Sequence, residues 1–303
     1  MNVWQPEPGE ILLARAPVTF ATGAAMRVKG MRWFRDTGRN DIQHDLPGWP
    51  EGPAFTARST GGTVALKSLK GAGMVVGVAF MALLSAAGGN IAGPSGDFGS
   101  DTPDEPADEV EDFPVMWAAP GTIARNLPWQ LDPSRTDQKR QLTHVIVTDR
   151  RLVVVQLPYE KKNFEAINDT VLWQCPRTDI SAVQLKDFRD GDDFKVIFED
   201  GSWCRLRSTA RSRLTRYLKP TLELLPLDSL TLQQRATILN FAMEAKTPES
   251  VAPIITRNSC GHYHVDILLP SRLTSAFGAS EQTLTMDEDG QEADPLKYHP
   301  EDL

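Results

Sequence analysis

Between His144 and Gln156 two β-branched runs, Val145-Ile146-Val147 and Leu152-Val153-Val154-Val155, are pinched together at Thr148-Asp149-Arg150-Arg151. Such side chains suit an extended backbone, and the polar residues between them are just enough to reverse the chain, so the stretch predicts a β-hairpin. The runs barely alternate with polar residues, which predicts central strands covered on both faces.

More strands follow. Thr170 to Gln174 reads as a strand ended by Pro176, Ile180 to Phe188 as a second, and Phe194, Val196 and Phe198 alternate with Lys195, Ile197 and Glu199. Asp200-Gly201 then reads as a two-residue type I′ loop, which sets Glu199 opposite Ser202 and Phe198 opposite Trp203. Upstream, Pro8-Gly9 opens a short apolar run over Glu10 to Ala16 that Pro17 closes, again a strand. The period then changes. Leu214, Tyr217, Leu218, Leu222 and Leu225 recur at helical spacing with a kink expected at Pro220, and Thr231 is the expected N-cap of a helix to Lys246. Leu232, Ala236, Leu239 and Met243 form one face of that second helix.

In order along the chain, the expected units are residues 1–60, an N-terminal strand with an irregular region; 61–93, an apolar helix; and 94–112, an acidic linker. Residues 113–226 then form a β module with its capping helix, 227–250 an accessory helix, and 251–303 a C-terminal strand with an acidic tail. The helix within 61–93 rests on residues 71–93, which carry no charge. Their length matches the roughly 20 residues a membrane span needs, yet much of the run is Gly and Ala and its core, Met74 to Leu84, is short. Three readings stay open: a span, a helix touching a membrane or a partner, and a helix packed on its own protein. In the contact readings Met74, Val75, Val78, Phe80, Met81, Leu83 and Leu84 are the touching residues.

Net charge is −8, but Asp97 to Asp112 and the tail from Glu281 carry eight acids each against a single base, Lys297. The body that remains has 31 bases against 24 acids and tolerates anionic partners. An anionic membrane surface or a protein is the partner class expected. Nucleic acid is not, because no basic stretch is interleaved with stacking aromatics. Cys175, Cys204 and Cys260 form an odd set without a CxxC, and Met1 to Gly9 lacks the pattern of a cleavable signal. A reducing, cytoplasmic setting is expected, with membrane association through residues 71–93 in the contact readings.

The order of these motifs (Pro8-Gly9-Glu10, the Val-Thr-Asp-Arg-Arg-Leu hairpin, the Trp173 to Leu185 strands with Asp179-Ile180 between them, the Phe-Glu-Asp-Gly-Ser-Trp hairpin and a closing helix) resembles the bacterial pleckstrin-homology-like and GRAM-type domains, mainly over residues 142–225. The resemblance implies an α+β fold, a bent antiparallel β-barrel capped by a C-terminal helix. Its first strand would be Glu10 to Ala16, with a long insertion after it, or would lie near Phe113 to Ile123. It also implies a non-enzymatic binding module, a membrane-associated adaptor or an interaction scaffold. A fully soluble scaffold or oligomer, whose inserted helix packs on its own barrel, is the alternative.

Phosphoinositide-binding members of that fold use basic residues in the first loop, which here is either interrupted or supplied by Arg135, Lys139 and Arg140. Arg150 and Arg151 at the hairpin tip either contact an anion or end a turn, paired with Asp149 or an acid on a neighbouring strand. Arg205, Arg207, Arg211, Arg213, Arg216 and Lys219 form a basic row that reads as an anion-facing surface or as an ordinary solvated face. If Cys260 to Asp266 is one strand, its period of two sets Cys260, His262, His264 and Asp266 on one face, a zinc-compatible set and the distant alternative of a metal-dependent enzyme. No Walker loop, GxGxxG, GxSxG or HExxH is present, and His144 within an apolar strand reads as a core histidine. No cofactor and no catalytic residue is expected.

Overall fold

The computed structural model describes residues 3–21, 34–46, 48–51, 114–137, 140–158, 168–186, 192–247, 251–268, 281–294 and 298–299. The apolar run 71–93, the linker 94–112 and Lys139 lie outside them. The described residues are mostly β, and none of their helices is long and apolar enough to cross a membrane.

Four strands make the first sheet, in the order β1 (Leu12–Pro17), β5 (Gln141–Thr148), β6 (Arg151–Pro158) and β7 (Thr170–Pro176). The second sheet runs β3 (Phe34–Arg35), β4 (Met116–Trp117), β10 (Trp203–Arg207), β9 (Asp193–Phe198) and β8 (Ile180–Lys186), with β2 (Thr19–Phe20) also on β10. The two sheets share one core. Leu13, Val145, Val147 and Val154 from the first meet Phe194, Val196, Cys204 and Leu206 from the second, and α1 (Arg211–Leu218) closes it with Leu214, Tyr217 and Leu218.

The expected closed barrel is not what forms. At one corner the chain bends from β1 into β2 at Val18, whose N–H and carbonyl both bond to Thr143. At the other corner β7 and β8 follow one another through the turn Arg177–Asp179 without pairing, so both sheets stay open. Both candidate first strands are used, Leu12–Pro17 in the first sheet and Met116–Trp117 in the second.

The hairpin β5–β6 is covered on both faces. Its outer residues Ile146, Val153 and Val155 pack under Trp4 and Leu12, so the N-terminal segment is the second cover. Beside them Arg15 makes a bidentate pair with Asp169 at 2.7 and 2.8 Å and donates from Nε to His144 Nδ1. Asp169 also accepts from the Trp4 N–H at 2.7 Å. His144 is thus a buried core histidine that accepts from Arg15 at Nδ1.

The Asp200-Gly201 hairpin departs by one residue from the expected register. Ile197, not Phe198, opposes Trp203. Only Gly201 adopts a positive φ, +78°, whereas a type I′ turn needs two such residues. Asp200 stays out of the left-handed region because its carboxylate is committed: Oδ1 accepts from the N–H and hydroxyl of Ser202, and Oδ2 from the Ile123 N–H at 2.6 Å. The result is a three-residue loop with a glycine bulge, and one residue of slip separates Phe198 and Trp203. Trp203 instead stacks on Trp117 at 6.2 Å, and Phe198 meets Trp173 edge-on. Asp200→Ala is expected to destabilise the protein by about 1–2 kcal/mol in urea unfolding, with Asp200→Asn recovering part of the loss.

Pro220 ends α1 rather than kinking it, because the residue before a proline is driven to extended backbone, and Lys219 has ψ 127°. A third sheet, β11 (Ile254–Arg257), β12 (Tyr263–Leu268) and β13 (Glu281–Met286), packs with α2 (Leu232–Glu244) around Ile238, Val265 and Met286. Thr231 does cap α2, in a capping box with Gln234.

Candidate functional site

At the hairpin tip the N-terminal Pro8-Gly9-Glu10 segment clasps the turn. Thr148 Oγ1 accepts from the N–H groups of Arg150 and Arg151 and donates to Glu10 Oε1 at 2.7 Å. Arg151 makes a fork to Glu10, Nε to Oε1 at 2.9 Å and an amino group to Oε2 at 2.8 Å, and also reaches Glu7 and Gln174. Its guanidinium lies 5.4 Å from the Trp4 ring centre. Arg150 donates to the Gly9 carbonyl at 2.7 Å. Burial pushes the Glu10 carboxyl up, but bonds from Arg151, Thr148 and the Glu7 N–H outweigh it and hold the pKa at about 2. The same pairing raises that of Arg151.

A cleft of about 300 Å³ opens here between Glu7, Glu10, Arg150, Arg151, Gln174 and Cys175. It offers no nucleophile: burial, then Asp179, pushes the Cys175 thiol up to about 12, and Cys204 is likewise raised by burial.

Of the other described basic residues, most are engaged within the fold, with Arg140 left in solvent. Arg135 pairs with Asp132 and donates to the Pro50 carbonyl at 3.2 Å, while Arg140 makes a solvent-exposed pair with Asp137 at 3.6 Å. Arg211 donates to the carbonyls of Lys186 and Asp193, Arg216 to the Asn258 side chain, and Arg213 is half-buried and engaged. Arg205 lies fully buried 3.9 Å from Asp193, so the row of bases is not one cationic face.

The zinc-compatible set is separated. Residues 258–262 form the β11–β12 turn, with Gly261 at φ +97° and the Asn258 N–H on the His262 carbonyl, so the period of two begins only at Tyr263. Cys260 is exposed on that turn. His264 points inward, its Nε2 3.2 Å from Asp266 Oδ1. Among the described residues no group of three potential ligands gathers. What gathers instead is a buried polar knot: Asp266 also accepts from the Tyr217 hydroxyl of α1 and from Thr283 of β13 at 2.7 Å. Burial pushes its carboxyl up, yet these bonds, led by His264, hold it below the usual range.

A second cleft, about 280 Å³, was not legible as a site in the sequence. Its walls are Trp49, the turn from Arg125 to Gln130 and Leu172 of β7. Trp49 is held rigidly: it stacks on Phe20 at 6.0 Å, meets Phe34 edge-on at 5.0 Å, and has the Arg135 guanidinium over its ring at 5.3 Å. Trp129 and Leu127 bracket Pro128, and Asn126 and Gln130 bring amide groups. The only signal was the density of Trp and Pro around Trp49 and Pro128-Trp129, which has no fixed spacing.

No family model, curated protein or solved structure matches this chain.

Proposed function

We propose that the chain is a non-catalytic interaction module that takes a proline-containing, extended segment of a partner protein in the Trp49–Trp129 cleft. The observation that carries this reading is the lining itself. Two tryptophan rings, aliphatic side chains and two amides surround the cleft, and of its eight residues only Arg125 is charged. Among the described residues that line it, none brings a carboxylate, histidine, thiol or hydroxyl to move a proton or attack a bond.

Size supports the same reading. Substrate pockets run from about 300 to 1,000 Å³, and this cleft, at about 280 Å³, falls just short of that range, room for one or two side chains of an extended peptide. Preformed aromatic walls suit the polyproline conformation, which loses little entropy on binding, and the amides can bond the bare carbonyls of such a segment. Arg125 favours an acidic flank.

Titration of the full chain with fluorescein-labelled decapeptides tests this, one set proline-rich with acidic flanks and one with every proline replaced by serine. Binding of the first set at about micromolar to millimolar Kd is expected, weakened at least tenfold by Trp129→Ala. Equal binding of both sets, or binding indifferent to Trp129→Ala with the fold intact by circular dichroism, would remove the proposal.

A further inference from the structure

The apolar face of α2 made by Leu232, Ala236, Leu239 and Met243 is turned away from the other described residues. Leu232 is 82 %, Leu239 50 % and Met243 69 % exposed, while Gln234 and Ile238, on the other side, are buried. The helix cannot roll to hide the stripe. Gln234 Nε2 bonds the Glu288 carbonyl, Thr237 bonds the Gly290 carbonyl at 2.6 Å, and a Cβ on Gly290 would sit 2.8 Å from the Gln234 nitrogen. The inward face is fixed by contact too close to re-register.

The stripe advances by four, three and four residues, the step of a heptad seam, which is the pattern one helix presents to another rather than the wider face that docks on a sheet. We propose that it is a self-association surface, pairing with the same stripe of a second copy of this chain, the two helices antiparallel about a twofold axis.

The charges favour a second copy in that orientation. Gln233, Asn240 and Ala242 border the seam without charge, and Arg235 is turned to the Leu230 carbonyl and Asp228. In antiparallel register Leu232 faces Met243 and Ala236 faces Leu239, so a small residue meets a large one at the centre. Glu244 then lies at the N-terminus of the second helix, where its negative charge is favoured. Lys246 comes beside Asp228 of the second copy, a carboxylate whose side chain is 98 % exposed. Parallel pairing would instead set Glu244 against Glu244 and Lys246 against Lys246. An isologous contact of this kind closes on itself as a dimer.

Thirteen residues give a helix about 20 Å long, and one such pair buries less than the roughly 1,200–2,000 Å² of stable interfaces. The dimer is therefore concentration-dependent.

Sedimentation velocity of the full chain from about 1 to about 500 μM is the test. A monomer shifting to a dimer with a Kd of about 10–100 μM is expected. Leu239→Glu should hold it monomeric throughout with an unchanged circular dichroism spectrum and Tm, since that side chain is exposed in the monomer. Lys246→Asp should weaken the dimer several-fold, and adding Asp228→Lys should restore it. A monomer at every concentration, a dimer indifferent to Leu239→Glu, or a charge swap that fails to restore would each overturn the proposal. So would a chain that stays monomeric but binds phosphatidylcholine–phosphatidylglycerol vesicles through Leu239, which would make the stripe a lipid contact.

Discussion

Replacing Glu10 by glutamine is expected to cost about 2 kcal/mol of stability at pH 7 and little by pH 2. The carboxylate sits at about 2 when folded, against 4.5 for an ordinary glutamate, because Arg151, Thr148 and the Glu7 N–H all bond its charged form. A depressed carboxyl adds stability that is fully present above about pH 4.5 and is lost as the pH falls towards 2. The whole shift corresponds to roughly 3 kcal/mol, and solvent in the adjoining cleft screens it to about 2. Urea unfolding at successive pH values gives the comparison. The two curves of stability against pH should converge on acidification, and curves that stay parallel down to pH 2 would show that Arg151 does not sense the charge of Glu10.

A larger and more local loss is expected from Asp266→Ala. That carboxylate is the common acceptor for Tyr217, His264 and Thr283, and its removal leaves buried donors without it at about 1–3 kcal/mol each, so about 3–5 kcal/mol in all. The loss should fall on the third sheet, because the knot ties β12 and β13 to α1. In hydrogen exchange, the amides of residues 254–257, 263–268 and 281–286 should exchange at least a hundredfold faster while those of 145–155 keep their protection. Uniform acceleration across both regions would mean that the third sheet and the sandwich unfold as one unit.

The strands were the most readable part of the sequence, and the reason is burial. Val145 to Val147 and Leu152 to Val155 are apolar on both faces because both are covered, and that need is written in consecutive residues. What covers them was not readable: Trp4 is 140 residues away, and nothing local assigns it to that face. The Asp-Gly register departs from the dipeptide rule because that rule assumes a free side chain, whereas Asp200 is occupied by Ser202 and by Ile123, 77 residues upstream. Barrel closure is a property of strand edges, which leave no trace in periodicity. The face of α2 was legible as a pattern, but not the side it takes, since Gln234 and Thr237 bury polar groups on a sheet turn. The basic residues were visible and their carbonyl and carboxylate partners were not. A charge run looks the same whether it is spent inside the fold or offered to a ligand.

The bend at Val18 has a consequence during synthesis. Leu12 pairs with Thr148, so roughly 130 residues must be made before β1 can pair, about 7–26 s at 5–20 residues per second. Until then a strand destined to be largely buried, Leu-Leu-Ala-Arg-Ala, waits without its neighbour. It must also wait for β10 before β2 can be placed. β1 therefore finds its neighbour well before β2 does, and the Val18 corner closes only after β10 has been made.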